Sequence, residues 1–225
     1  MAKNDFSTET ASNFEQKCLC VLVLDVSGSM RGEPIKALNA GLKDFYEDIY
    51  KDDSKSQKIE LSIITFNEKV NTIQEPALVE DFTMPTLSAG GSTAMVDAVN
   101  EAIAKVAARK EWYKAQGVPY YRPWIILMTD GEPDEFQDTI GLSLRIKDDT
   151  ANKKYQFMPI AVEGANMDIM KQISGTIPPM KLKEAKFSDF FQWLSSSIGT
   201  VVNSHEGDKV SFENPSSWMD NFEIN

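Results

Sequence analysis

Two stretches of this chain, CLCVLVLD at residues 18–25 and WIILMTD at residues 124–130, are apolar at almost every position and stop on an aspartate. Runs this short, with no polar alternation, suit strands buried on both faces, the situation of a parallel sheet covered by helices on each side. Strands of that kind must be joined by long crossovers, and the sequence supplies them. Residues 33–52 carry Pro34 near the start and then Ile35, Leu38, Leu42, Phe45 and Ile49 at helical spacing. Residues 92–117 carry Met95, Val99, Ile103 and Val106 in the same rhythm, after a glycine-rich loop.

The rest of the chain repeats the alternation. Residues 58–67 and 68–77 read as two strands joined by a tight turn near Asn67 and Glu68, and residues 134–149 as a helix. Residues 155–164 form a strand, and residues 166–175 a short helix stopped by Gly175. Residues 179–184 form a short edge strand, and residues 187–204 a last amphipathic helix with Phe187, Phe190, Phe191 and Leu194. The expectation is an α/β, doubly wound, mostly parallel six-stranded sheet with helices on both faces. CLCVLVL sits in its middle, flanked by WIILMT and LSIITF. Residues 1–16 read as an N-terminal extension, 17–204 as the domain and 205–225 as a polar C-terminal tail held on the domain by Trp218. Trp112, Tyr113, Tyr120, Tyr121 and Trp124 read as core packing, with a partner-binding patch as the alternative.

Composition removes several function classes. The net charge of −11 over 225 residues argues against binding nucleic acid, which needs a basic surface. The single histidine, His205, makes a histidine zinc site or a Ser-His-Asp triad a poor reading. Cys18 and Cys20 share one strand face, badly placed to bridge each other, and read as small buried apolar residues in a reducing compartment. The first 17 residues have no apolar signal core, and no apolar run approaches the roughly 20 residues of a membrane helix. The expected location is the cytoplasm, without membrane contact.

In parallel sheets ligands bind beyond the carboxyl ends of strands, at the point where strand order reverses. The sequence concentrates oxygen there: Asp25, Ser27 and Ser29 after the first strand, Thr93 after Gly90 and Gly91, and Asp130 after the fourth strand. Gly28 is expected to make the tight turn between the serines, and Gly90 and Gly91 to let their loop approach closely. Each fragment alone has an ordinary reading as a turn or helix cap. Their joint occurrence points to one shared metal site. With neither thiol nor imidazole, the donors suit Mg²⁺, Ca²⁺ or Mn²⁺ rather than zinc. Asp97 reads either as helping to neutralise the site or as a solvated helix residue, and Glu132, Asp134 and Glu135 read as favouring a helix N-terminus ahead of the alternative, a rim that selects a basic partner.

Neutral hydroxyls around a cation leave its charge poorly neutralised, with waters in the remaining positions. A partner's Asp or Glu can displace one of them, so such a site is completed by a protein partner and binds metal weakly alone. A catalytic reading, a Mg²⁺-dependent phosphoester hydrolase or phosphate-binding enzyme, is the alternative. It lacks an evident general base and a P-loop, and Ser27 stands where a haloacid-dehalogenase-like phosphatase needs a second aspartate. No catalytic residue is therefore assigned.

LDVSGSM, GGSTAM and MTDGEPDE resemble the von Willebrand factor A (VWA) domain with its metal-ion-dependent adhesion site, MIDAS. The resemblance covers residues 17–204 and implies a Rossmann-like fold. It also implies that Ser27, Ser29 and Thr93 approach the metal with hydroxyls while Asp25 and Asp130 hold waters and those hydroxyls. MPIAVEGANMDIMKQIS, PPMKLKEAKFSDFFQWLSSSI and GDKVSFENPSSWMD further resemble bacterial tellurium-resistance TerY-like proteins. That likeness implies a cytosolic protein of a stress-resistance gene system, often beside kinases and phosphatases. Nothing in the residues suggests chemistry on tellurite itself.

Overall fold

The computed structural model describes residues 4–130, 132–134, 136–204 and 209–220. Its sheet is built from β1 (Cys18–Asp25), β2 (Ile59–Phe66), β3 (Val70–Leu78), β4 (Trp124–Thr129), β5 (Gln156–Ala161) and β6 (Met180–Lys181). The order is β3-β2-β1-β4-β5-β6, and only β3 runs antiparallel. This is the six-stranded, mostly parallel α/β architecture expected, with β1 central between β2 and β4. The order reverses between β1 and β4, so the switch point lies at their carboxyl ends.

All eight residues of β1 are buried, because the strand has a helical layer on each side. Cys18, Cys20, Leu22 and Leu24 face α1 (Glu33–Lys51) and α6 (Phe187–Val202). Leu19, Val21 and Val23 face α3 (Met95–Gln116), α4 (Thr139–Ala151) and α5 (Met167–Ile173). A short α2 (Asp53–Ser56) follows α1. Leu38, Leu42, Phe45 and Ile49 of α1, and Phe187, Phe190, Phe191 and Leu194 of α6, are buried as their spacing requires. Cys18 and Cys20 are free and buried, and loss of solvation pushes the Cys18 thiol up to about 12. Among the described residues, no helix is long and apolar enough to cross a membrane.

Three local expectations need correction. Helix α4 starts at Thr139, capped by Asp138, rather than at Asp134. Asp134 and Gln137 are committed instead to bonds with the loop before α3. Gly175 is not a left-handed stop for α5, whose C-cap is the extended Ser174. It is needed for close approach: a Cβ there would run into Thr150 and meet Ile146 Cγ2 at 3.1 Å. Strand β6 has two residues rather than six. Its outer edge is occupied by the tail, through a Leu182–Met219 bridge and the bonds Lys183 N–H to Trp218 O (2.8 Å) and Asp220 N–H to Lys181 O (3.0 Å).

The chain on either side of the central sheet is packed. Trp218 is fully buried, its ring 4.9 Å from that of Phe190 and 5.2 Å from that of Trp193. At the other end, Phe6 is buried with Trp112 and Tyr113. Arg109 gives Nε and Nη2 to Glu60 at 2.8 Å each and Nη1 to Glu9 at 2.6 Å. Trp112, Tyr113 and Trp124 are buried, while Tyr120 and Tyr121 are partly so. His205 lies outside the described residues.

Replacing Trp218 with Ala should cost about 3–5 kcal/mol, the usual range for emptying a buried indole site. Trp218→Phe should cost much less, because the indole Nε1 is buried with no partner among the described residues and Phe removes that unmet donor. Urea unfolding midpoints of the two variants check this; equal losses would contradict it.

Candidate functional site

Asp25 closes β1 and is fully buried. Its Oδ1 accepts the Ser27 N–H at 2.8 Å, and its Oδ2 accepts the Thr129 hydroxyl at 2.5 Å. The second bond ties the two central strands together at the switch point. The chain then turns through a short 3-10 segment, Gly28–Met30, which brings Ser27 Oγ and Ser29 Oγ to 3.0 Å. Ser29 in turn donates to Asp130 Oδ1 at 2.8 Å. Four of the five residues singled out in the sequence thus form one hydrogen-bonded chain across the carboxyl ends of β1 and β4.

The loop that carries Thr93 docks on the turn after β1, and Thr93 itself is buried. Gly90 N–H donates to Val26 O at 2.8 Å, and Gly28 N–H donates to Gly91 O at 3.0 Å. Gly28 therefore serves docking more than turn freedom: its φ is not positive, and a Cβ would sit 3.4 Å from the Gly91 oxygen. Gly91 needs its glycine on two grounds. Its φ is +91°, and the Glu68 carboxylate fills the place of a Cβ.

Several residues that fix this geometry were not evident from local sequence. Asn67, in the hairpin turn, donates to Gly90 O at 2.8 Å, and its carbonyl accepts the Ala94 N–H at 2.7 Å. Asp134 accepts from Ser92 Oγ (3.1 Å) and Thr93 N–H (3.3 Å) and returns its own N–H to Thr93 O (3.1 Å). Gln137 takes the Val96 N–H at 2.7 Å, the first-turn donor that Ala94 at the N-cap cannot satisfy, and donates to Asp97 at 3.2 Å. Glu132 accepts from Asn166, the cap of α5, at 2.6 Å. Asp134 and Glu132 thus act as straps between loops, not as helix-dipole charges. Glu135 lies outside the described residues.

The electrostatics suit a cation. Burial raises both the Asp25 and the Asp130 carboxyl above the ordinary range, against the lowering effect of their hydrogen bonds. Repulsion from Asp130 adds to the rise at Asp25, and a divalent ion near the pair would offset that cost. Among the described residues no cluster of three or more His, Cys, Asp or Glu stands ready to hold a metal. Any cation here would rest on two carboxylates and on hydroxyls.

Residues 20–192 match the family described as the von Willebrand factor type A domain. Several solved structures share the fold. The ArnB paralog VWA2 from Sulfolobus acidocaldarius has a TM-score of 0.51 at 20% identity, covering 81% of this chain and 45% of that one. The pilus adhesin SpaC from Lactobacillus rhamnosus GG, in its open conformation, has a TM-score of 0.66 at 13% identity, covering 86% and 31%. BatB from Bacteroides thetaiotaomicron has a TM-score of 0.54 at 19% identity, covering 83% and 100%. The chain thus spans less than half the length of the first two, and at these identities the likeness is one of fold. No curated protein matches the sequence significantly.

Replacing Asp134 with Ala should leave the global unfolding midpoint nearly unchanged while loosening the Thr93 loop. Losing a hydrogen bond worth about 1 kcal/mol predicts amide exchange at Thr93 faster by on the order of fivefold. Hydrogen exchange read by NMR checks it, and an unchanged Thr93 rate would show that Asp134 is not the strap.

Proposed function

The chain belongs to the von Willebrand factor type A domain family, and on that premise we propose that it is a metal-dependent protein-binding module. Domains of this family mediate protein interactions. In this reading Ser27, Ser29 and Thr93 offer hydroxyls to a divalent cation, and Asp25 and Asp130 hold the hydroxyls and waters around it. A carboxylate from a partner completes the coordination. The module is non-enzymatic and cytoplasmic, and it serves a bacterial tellurite or stress-resistance system.

The observation that carries this reading is the spacing of the oxygens. Cis ligands of an octahedral Mg²⁺ at its usual bond length stand about 2.9 Å apart. The Ser27 Oγ to Ser29 Oγ separation, 3.0 Å, matches that edge, and Asp130, which accepts from Ser29 Oγ at 2.8 Å, stands behind it to hold that hydroxyl. Mg²⁺ is preferred because it keeps several waters and so suits a site that leaves positions open, with Mn²⁺ or Ca²⁺ as substitutes. The cation supplies an open, under-neutralised position. The protein's contribution is to hold the donors at fixed spacing through Thr129, Asn67 and Asp134, so that ordering them costs little when the partner arrives.

Mn²⁺ titration of the full chain, followed by water-proton relaxation, is the direct test. One weak site that retains water is expected, lost in Thr93→Ala and in Asp130→Ala. Asp25→Ala is a poorer probe, because it removes the buried acceptor of the Ser27 N–H and should cost about 1–3 kcal/mol of stability. For a partner recovered with Mg²⁺ and lost with EDTA, Thr93→Ala should weaken binding by about 2–4 kcal/mol, typical of a central anchor. That corresponds to roughly 30- to 1,000-fold. Absence of any Mn²⁺ site, or a partner affinity indifferent to chelator and to Thr93→Ala, would sink the reading.

A further inference from the structure

Seven large hydrophobic side chains are exposed among the described residues, and three of them fall within nine residues of one another: Phe136 at 98%, Ile140 at 66% and Leu144 at 66% exposure. Ile140 and Leu144 are one turn apart on α4 and share a face, and Phe136 leads into it. The segment begins six residues after Asp130. It is also held in place. Asp134 is bonded to Ser92 and Thr93, Gln137 N–H donates to Asp134 O at 3.0 Å, and the Gln137 side chain is bonded to Val96 N–H and Asp97. The polar groups on both sides of Phe136 are thus tied to the loop that carries Thr93, while the ring itself stands in water. An exposed apolar group that the fold positions this firmly marks a contact surface.

We propose that Phe136, Ile140 and Leu144 form an apolar ridge for the same protein segment that gives its carboxylate to the metal, a proposal that rests on the metal-bridge reading above. The charges around the ridge define the segment further. Asp97, Glu132, Asp134 and Asp138 are exposed around Phe136, while Arg145 and Lys147 are exposed beside Leu144 on α4, so the part of the segment over Phe136 carries basic side chains beside its apolar ones, with one Asp or Glu for the cation. The same acidic rim disfavours an anionic lipid surface, and a second copy of this chain would bring two acidic rims together. The ridge gives the site what one metal–carboxylate bond lacks, a way to tell one acidic protein from another.

The test selects a random-peptide display library on the full chain in Mg²⁺, resynthesises the strongest peptide and measures its affinity. The expected peptide combines one Asp or Glu with apolar and basic residues. Its affinity should fall by about tenfold or more in Phe136→Ser and in the double variant Ile140→Gln/Leu144→Gln, as for loss of an interface anchor. Both variants should keep the wild-type Mn²⁺ titration, since the substituted side chains are exposed. EDTA and Thr93→Ala should also weaken the peptide. If EDTA abolishes binding while the ridge variants bind like wild type, the ridge proposal is wrong and the metal reading stands. If the ridge variants weaken binding but EDTA and Thr93→Ala do not, the metal reading falls and the shared-partner proposal falls with it. Self-association of the chain that Phe136→Ser removes would identify a second copy as the occupant and overturn the proposal.

Discussion

The Asp25 carboxylate is the constraint on which the site and the centre of the sheet both depend. It is fully buried at the end of the central strand, and it takes a hydrogen bond from Thr129 of the neighbouring strand. A buried carboxylate is tolerated only when its lone pairs are met and its charge is balanced. Thr129 and the Ser27 N–H meet the first requirement. The second is what a divalent cation satisfies in the proposed function. The turn after β1, the docking of the Gly90–Gly91 loop and the Ser29–Asp130 bond all assemble around that carboxylate.

Much of the fold was legible because it follows from periodicity. The apolar runs of β1 and β4 identified central strands, and the stripes of α1, α3 and α6 identified their inner faces. Four of the oxygen-bearing residues were legible because they sit at or just past the ends of β1 and β4, and Thr93 because it follows a glycine pair ahead of a helix. What local sequence does not contain is pairing between distant segments. Asp134 bonds Thr93 across 41 residues, and Gln137 bonds Val96 across the same separation, so a helix start that looked plausible at Asp134 gave way to a strap. Gly175 resembled a helix stop, yet it is demanded by Thr150 of another helix. The tail that bonds the outer edge of β6 comes from more than thirty residues on, which the strand's own sequence cannot announce.

The N-terminal segment shows the same limit. Its composition is polar, yet Phe6 completes a buried cluster in which Arg109 lies 3.9 Å from the Trp112 ring centroid and pairs with Glu60, while the exposed Glu9 pairs with Arg109 from outside. Glu60 also accepts the Tyr113 hydroxyl at 2.6 Å. Removing one member of such a set costs far more than the set contributes net, because the remainder is left buried and unpaired. The segment therefore belongs to the packing of α3 against β2, at residues remote from the oxygen cluster.

The strand order has a consequence for how the chain is made. Asp25 and Thr129, which close the switch point, are 104 residues apart in sequence. At the usual pace of ribosomal synthesis, that separation takes roughly 5–20 s to emerge. Throughout that interval β1, the most apolar strand of the protein, has its β4 edge open. Its pairing with β2 can form early, but the other half of the sheet cannot. Contacts this distant also slow folding once the chain is complete, because loop closure must precede the strand pairing that rewards it. Nascent chains stalled between β2 and β4 should be the aggregation-prone species of this protein, and the site that defines it is among the last parts to exist.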